Sequence, residues 1–307
     1  AGISMQAFCE PLYYKFYQTK EGIRQARKAV EGDYIIMMRA LWSAASGMRA
    51  QQTNVDSISH NLSNVNTVGY KTEKPEFKTL LYQTLQTETT SANGAQKPIS
   101  AQVGLGTRVA SITSSFRQGP MMEVESKSAV AIQGSGLFAV NGLNGQTFYT
   151  RNGDFYWSQG ANGLTLCTAE GYQVLDSNEN EIILPNEVDA SHVMISTDGV
   201  IGYTDAQNAY VPLGQTIGLW QFNNDAGLEK ISGTYYLETA ASGAPMNEAT
   251  TAGLARSEVA QGYLEGSNVQ VADEMVNMII AQRAYELNSR AITTSDTMLE
   301  QANALKR

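Results

Sequence analysis

Three rhythms of apolar and polar residues divide the chain. From Met38 to about Val65 the apolar positions step at helical spacing: Leu41, Ala45, Met48, Val55 and Leu62 fall three, four or seven apart, close to a heptad seam. Ile58 widens that face and no proline interrupts it. At about 1.5 Å per residue the pattern predicts a helix of roughly 40 Å. From about Val269 to Leu305 a second helical pattern appears. Val271, Met275, Met278, Tyr285, Ile292 and Leu299 line one face, and Val276, Ile280, Ala284, Leu287, Ala291, Met298 and Leu305 line another. "GSN" at 266–268 offers cap residues, Asp273 and Glu274 suit a first turn, and the helix would extend about 50 Å.

Between them the period falls to two. Runs such as "SAVAIQG", "LFAV", "TFYTR", "LTLCT", "HVMIS" and "IGLWQF" alternate or are β-branched and aromatic. Turn signals separate them: "NGLNG" at 141–145, "RNGD" at 151–154, "ANGL" at 161–164 and "TDGV" at 197–200. These predict antiparallel hairpins in a closed or sandwiched sheet. The stretch Gln83–Pro120 differs, being rich in Ser, Thr, Gln and Ala. It suits either a flexible linker or a long hairpin that finds its partners in another chain.

The expected fold class is therefore α+β: long N- and C-terminal helices pairing as a coiled coil, with a central antiparallel all-β body. A plainer arrangement would pack both helices on the sheet. The expected organisation is an atypical extension over 1–36 with no assigned role, a helical assembly domain from 38–70 plus 269–307, a linker and extended-hairpin region at 71–123, and a β body at 124–268. Within the extension, "KEGIRQARKAVEGD" is a mixed-charge, helix-like run, and Met37-Met38 looks like a natural chain start.

Two features favour assembly. The C-terminal helix is apolar on two faces, which one partner cannot cover. The stretch "ISHNLSNVNTVGYK" (Ile58–Lys71) sets Asn61, Asn64 and Asn66 into a helical pattern, although such residues compete for backbone hydrogen bonds. Between subunits they could bond neighbours and fix register. Gly69 reads as the helix stop.

Composition narrows the function. The 307 residues are 42% hydrophobic and 17% charged, with net charge -9, which argues against general affinity for nucleic acid or anionic lipid. No apolar run approaches the roughly 18 residues of a membrane span, and the N-terminus lacks the pattern of a cleavable signal peptide. Cys9 and Cys167 give neither a disulfide framework nor metal spacing.

Enzyme motifs fail on their own chemistry. His60 and His192 have no third ligand or nucleophile at useful spacing. "GSG" at 134–136 lacks the outer glycines of a nucleophile elbow, and "GLGTRV" at 104–109 lacks the third glycine of a dinucleotide loop. The Asn61-Leu-Ser63 glycosylation pattern lies in a predicted helix and is discarded. No catalytic, cofactor-binding or metal-binding residue is expected. The alternatives to an assembly protein are an adhesin-like surface fibre or a hydrolase with an unrecognised site.

The residues from Asn61 to Tyr70 resemble the N-terminal signature of bacterial flagellar rod and hook proteins, N-L-x-N-x-x-T-x-G-aromatic. "MMRALWSAASGMRAQQTNVDSISHNLSN" resembles the family's start and "VNMIIAQRAYELNSRAITTSDTMLEQ" its end. "VAIQGSGLFAV", "YTRNGDF", "YLETAASGAP" and "QGYLEGSNV" resemble segments of its distal rod members, so the resemblance covers Met38 to Arg307. It implies a subunit exported by the flagellar type III apparatus without a cleavable signal peptide, and a helical homopolymer in the periplasmic basal body. Terminal helices would line the export channel, with proximal rod proteins and the hook protein as axial neighbours and the outer rings as a bushing. Gln83–Pro120 would be the segment that stiffens the rod. The expected assembly interface is Leu41, Met48, Val55, Asn61, Leu62, Asn64, Thr67, Gly69, Tyr70, Val271, Met275, Met278, Tyr285, Ile292 and Leu299.

Overall fold

A computed structural model describes residues 20–86, 101–142, 145–160, 163–185, 188–204, 210–251 and 253–304, with side chains from Met38 onward except at 85, 86 and 101. The aromatic part of the N-terminal extension and Leu305 lie outside the described residues.

A long helix stands at each end of the described chain. α1 spans Lys20–Ser63 and α2 spans Val271–Ala304. α1 begins well before the expected Met38: the mixed-charge run continues into it, because proline-free sequence rich in Lys, Arg, Glu and Ala holds the helix. It also ends before Gly69. Asn64 N–H is shared between the His60 and Asn61 carbonyls at 3.2 and 3.1 Å, and the chain then runs through turns.

The strands between the helices are β1 (Glu73–Thr79), β2 (Tyr82–Gln86), β3 (Ala101–Gly104), β4 (Thr107–Ser114), β5 (Met121–Glu123), β6 (Val130–Gln133), β7 (Leu137–Asn141), β8 (Thr147–Thr150), β9 (Phe155–Gln159) and β10 (Leu164–Thr168). There follow β11 (Gln173–Val174), β12 (Ile183–Leu184), β13 (Val193–Ile195), β14 (Val200–Thr204), β15 (Tyr210–Thr216), β16 (Leu219–Gln221), β17 (Glu229–Ser232), β18 (Tyr235–Leu237), β19 (Met246–Asn247), β20 (Glu258–Gln261) and β21 (Tyr263–Glu265). The largest sheet runs β12-β10-β11-β7-β8-β18-β17, with β16, β19 and β9 paired beside it, and a smaller one runs β13-β14-β15. The remaining pairs are β1-β4, β2-β3, β20-β6 and β21-β5. The fold class is α+β, as the two periods predict.

β7 explains the layering. Its side chains alternate across the sheet, and both faces are buried. Phe138 and Val140 join a core with Val130, Ile132, Phe155, Leu166 and Ile201, while Leu137 and Ala139 join Tyr149, Trp220, Phe222 and Tyr236 on the other side. Phe138 and Phe155 meet edge to face with centroids 5.1 Å apart, a geometry worth about 0.5–1.5 kcal/mol beyond burial.

Three of the four turn signals close hairpins: β7–β8, β9–β10 and β13–β14. "RNGD" does not, since β8 pairs with β7 and β18 while β9 pairs with β10. It is a corner. Asp154 N–H bonds Asn152 Oδ1 at 3.0 Å, and Gly153 passes so close to β6 that a Cβ would lie 1.6 Å from the Val130 carbonyl oxygen. The short-range signal was a true turn but not a hairpin, because the strand partner changes there.

The described residues divide into two compact units. One gathers α1 to Val55, the region Glu76–Ser111 and α2 from Ile279; the other gathers Asp56–Pro75 and Ile112–Met278. In the first, β2 and β3 pair antiparallel with Tyr82 opposite Gly104. Ser46 Oγ accepts a hydrogen bond from Thr107 N–H at 3.2 Å, beside Gly106 at φ +120°.

The candidate functional site: a clasp where the helices meet the body

The second unit contains the last turns of α1, the segment that enters the body, the segment that leaves it and the first turns of α2. Asn61, in the last turn of α1, is 1% exposed. Its Oδ1 accepts from Glu73 N–H at 2.9 Å and from Tyr70 Oη–H at 3.0 Å. Its Nδ2 donates to the Glu73 carbonyl at 2.9 Å and to Glu274 Oε2 of α2 at 3.5 Å. All four bonding positions of the amide are used within one chain. A buried, fully bonded amide cannot accept a glycan.

The rest of the signature folds around that residue. Asn64 Nδ2 donates to the His60 carbonyl at 2.9 Å, and its Oδ1 accepts from Thr67 Oγ1 at 3.1 Å, so the two residues shape the turn after the helix. Gly69 adopts φ +70°, and a Cβ there would lie 2.6 Å from Asn152 N. Its N–H bonds the Glu265 carbonyl at 2.8 Å. Glycine is required here by the left-handed backbone and the close approach of the "RNGD" corner, not by helix termination. Tyr70 packs edge-on against His60, and its phenol also meets His60 Nδ1 at 2.9 Å. Burial, with Glu73 behind it, pushes that phenol above its ordinary range.

Beneath Tyr70 lies a buried charge cluster. Lys71 Nζ is 2.6 Å from Glu265 Oε1 and donates to the Arg117 carbonyl at 2.8 Å. Arg151 Nε is 3.6 Å from Glu265 Oε2, and Arg151 Nη2 donates to the Gly134 carbonyl at 2.5 Å. The three side chains are about 1% exposed. Burial lowers the Lys71 ammonium below the usual lysine range against the pull of Glu265, and likewise lowers Arg151. The "GSG" loop thus serves the cluster through Gly134 and closes on Ser257, whose Oγ accepts from Gly136 N–H at 3.0 Å.

Asn268 corrects the cap reading of "GSN". Its Oδ1 accepts from both Thr72 N–H and Thr72 Oγ1, at 2.8 and 2.6 Å, and its Nδ2 donates to the Ser115 and Arg117 carbonyls. It ties entry to exit and does not cap α2. Lys230, from β17, pairs with Glu73 and sits 5.8 Å from the Tyr70 ring centroid.

The expected interface residues fall into three groups. Leu41, Met48, Val55, Leu62, Asn64, Thr67, Met278, Ile292 and Leu299 are half-buried; Asn61, Gly69 and Tyr70 are buried; Val271, Met275 and Tyr285 are exposed. On α2 the covered stripe carries Glu274, Met278, Ala281, Asn288, Ile292, Ser295 and Leu299, at heptad-like spacing. The other apolar face is largely bare: Val276, Ile280, Leu287 and Met298 are 55%, 61%, 65% and 51% exposed, while Ala284 between them is half-buried. Among the described residues, no group of His, Cys, Asp and Glu could hold a metal ion, and no helix is long and apolar enough to cross a membrane. Lys71, Glu265, Arg151 and Asn268 escaped sequence reasoning. The one local signal was a lysine directly after the signature aromatic.

Family models match three stretches of the chain: "Flagella basal body rod protein" over residues 41–71, "Flagellar hook protein FlgE/F/G D1 domain" over 131–203 and "Flagellar basal body rod FlgEFG protein C-terminal" over 260–305. The α+β fold, its signature clasp and these matches together define the class of flagellar rod and hook proteins. Similarity is high to flagellar basal-body rod proteins FlgG: 44% identity to that of Borreliella burgdorferi, 41% to that of Buchnera aphidicola from Acyrthosiphon pisum and 40% to that of Caulobacter vibrioides. Each alignment covers 88% of this chain and 100% of the relative. The chain belongs to the FlgG family of flagellar basal-body rod proteins.

Proposed function

We propose that this chain is a structural subunit of the flagellar distal rod in the basal body, without catalytic activity, polymerising into a stiff helical tube that carries torque to the hook and encloses the export channel. The observation that carries this reading is the bare apolar face of α2, where Ile280 and Leu287 are 61% and 65% exposed. Contiguous apolar surface of this kind marks an interaction site. On α1, Trp42 is likewise 68% exposed.

We infer that α1 and α2 pair as an antiparallel coiled coil within the subunit. Two neighbouring pairs support this: Asn61 with Glu274, and Gly47 with Asn288, whose amide would lie 2.8 Å from a Cβ at 47. On each helix the two positions are two heptads apart, in opposite directions. The covered stripe then faces the partner helix and the bare face is left for neighbouring subunits. Leu41, Met48, Val55 and Leu62 belong to the first seam, with Met278, Ile292 and Leu299 opposite; Val271, Met275 and Tyr285, exposed, flank the covered stripe of α2. Proximal rod proteins and the hook protein are the axial neighbours in this reading, the outer rings surround the tube, the export apparatus delivers the chain, and Gln83–Pro120 braces adjacent subunits.

Removing residues from Ile279 onward tests the reading, because it spares Glu274 and the clasp. The β body is expected to melt as before while polymerisation and rod formation are lost. Rods that still form from the shortened chain would refute it.

A further inference from the structure

We propose that Asn61, Lys71 and Glu265 form a coupling joint: they hold the end of α1 and the start of α2 to the body as one unit, acting as positioning residues for assembly and not as parts of the subunit interface. The proposal rests on the reading that the helices are the assembling elements.

Its first support is burial. These side chains are about 1% exposed in a single chain, so a neighbouring subunit cannot reach them. Their partners are intrachain and come from three directions. Asn61 grips both backbone groups of Glu73 on the way in and reaches Glu274 on the way out. Lys71, on the way in, meets Glu265, on the way out, while Arg151 approaches Glu265 from the end of β8. Glu265 Oε1 also accepts from Gly119 N–H at 2.8 Å, and its carbonyl takes Gly69 N–H.

The second support is cost. Two cations share one carboxylate, and Arg151 Nε, Arg151 Nη1 and Glu265 Oε2 lack hydrogen-bond partners among the protein atoms. An apolar core of the same volume would serve stability better, since buried ion pairs seldom repay their desolvation. What charges supply here is direction. An apolar contact lets two segments slide or swivel, whereas bonds from Lys71 and Asn61 fix position along several axes. A subunit whose helices must meet neighbours in register needs that restraint at the point where both helices leave the body.

Two full-length variants test the joint by hydrogen exchange on the monomer and by polymer growth in vitro. Lys71→Met removes one cation and leaves Arg151 and Glu265 a balanced pair. Asn61→Ala opens the clasp without touching Lys71, Glu265 or Arg151. In both, amides of residues 69–73 are expected to lose protection at least tenfold while β7 and β8 keep theirs, and polymer yield is expected to fall. Unchanged protection at 69–73 in both variants would overturn the proposal. So would an equal loss across β7 and β8, the mark of an ordinary core residue, or normal polymer growth despite a local loss. Failure of the unaltered chain to polymerise would instead count against the rod reading, and leave the monomer exchange pattern intact.

Discussion

Lys71 Nζ lies 2.6 Å from Glu265 Oε1, 194 positions further along the chain. Removing the carboxylate strands two buried cations. Glu265→Gln is therefore expected to destabilise the body by roughly 3–5 kcal/mol, read from urea unfolding midpoints. A change under about 1 kcal/mol, the range of exposed ion pairs, would mean that the cluster is wetter than its burial implies.

Gly69 and Gly145 separate backbone strain from crowding. Both sit at positive φ, +70° and +76°, but a Cβ at Gly69 meets Asn152 N at 2.6 Å whereas Gly145 has nothing within 4 Å. Gly145→Ala should cost about 1–2 kcal/mol, the left-handed penalty alone. Gly69→Ala should cost more, because backbone must shift as well. Equal costs would contradict the close approach at the corner.

Asp225 offers a pH test. Burial raises its carboxyl above the ordinary carboxylate value, outweighing the Arg151 charge. With the folded pKa above the unfolded one, the folded chain holds the proton more tightly. The ionised form therefore costs stability at neutral pH, and that cost fades as pH falls through the raised pKa. Asp225→Asn should melt higher than the parent at pH 7, with the gap closing toward about pH 4, where the unfolded carboxyl also protonates. A gap that widens on acidification would reverse the sign.

Much of this was legible in the residues. Heptad spacing found both helices, and Asn-Gly and Asp-Gly found the β7–β8, β9–β10 and β13–β14 hairpins, because those features depend on neighbours within a few positions. The clasp was not legible. Asn61 looked like a register device between subunits, Gly69 like a helix stop and Asn268 like a cap, each being a sound local reading of its residue type. What those readings could not reach was distance in sequence: within the chain Asn61 meets Glu274 at a separation of 213 and Thr72 meets Asn268 at 196. Periodicity cannot encode such pairs. The beginning of α1 was misplaced for a different reason. Met37-Met38 looked like a chain start and suggested a boundary, but a helix needs only continued backbone bonding and runs through those residues.

The bare face of α2 bears the central claim, and polymer growth of Ile280→Asp and Leu287→Asp measures it most directly. Both positions are largely exposed in the subunit, so the folded monomer should change by no more than about 0.5 kcal/mol. A carboxylate buried in a subunit interface has no partner there and costs several times that. We expect monomers that melt like the parent but do not polymerise under conditions where the parent forms rods. Rods of normal yield and length from both variants would contradict assembly through this face.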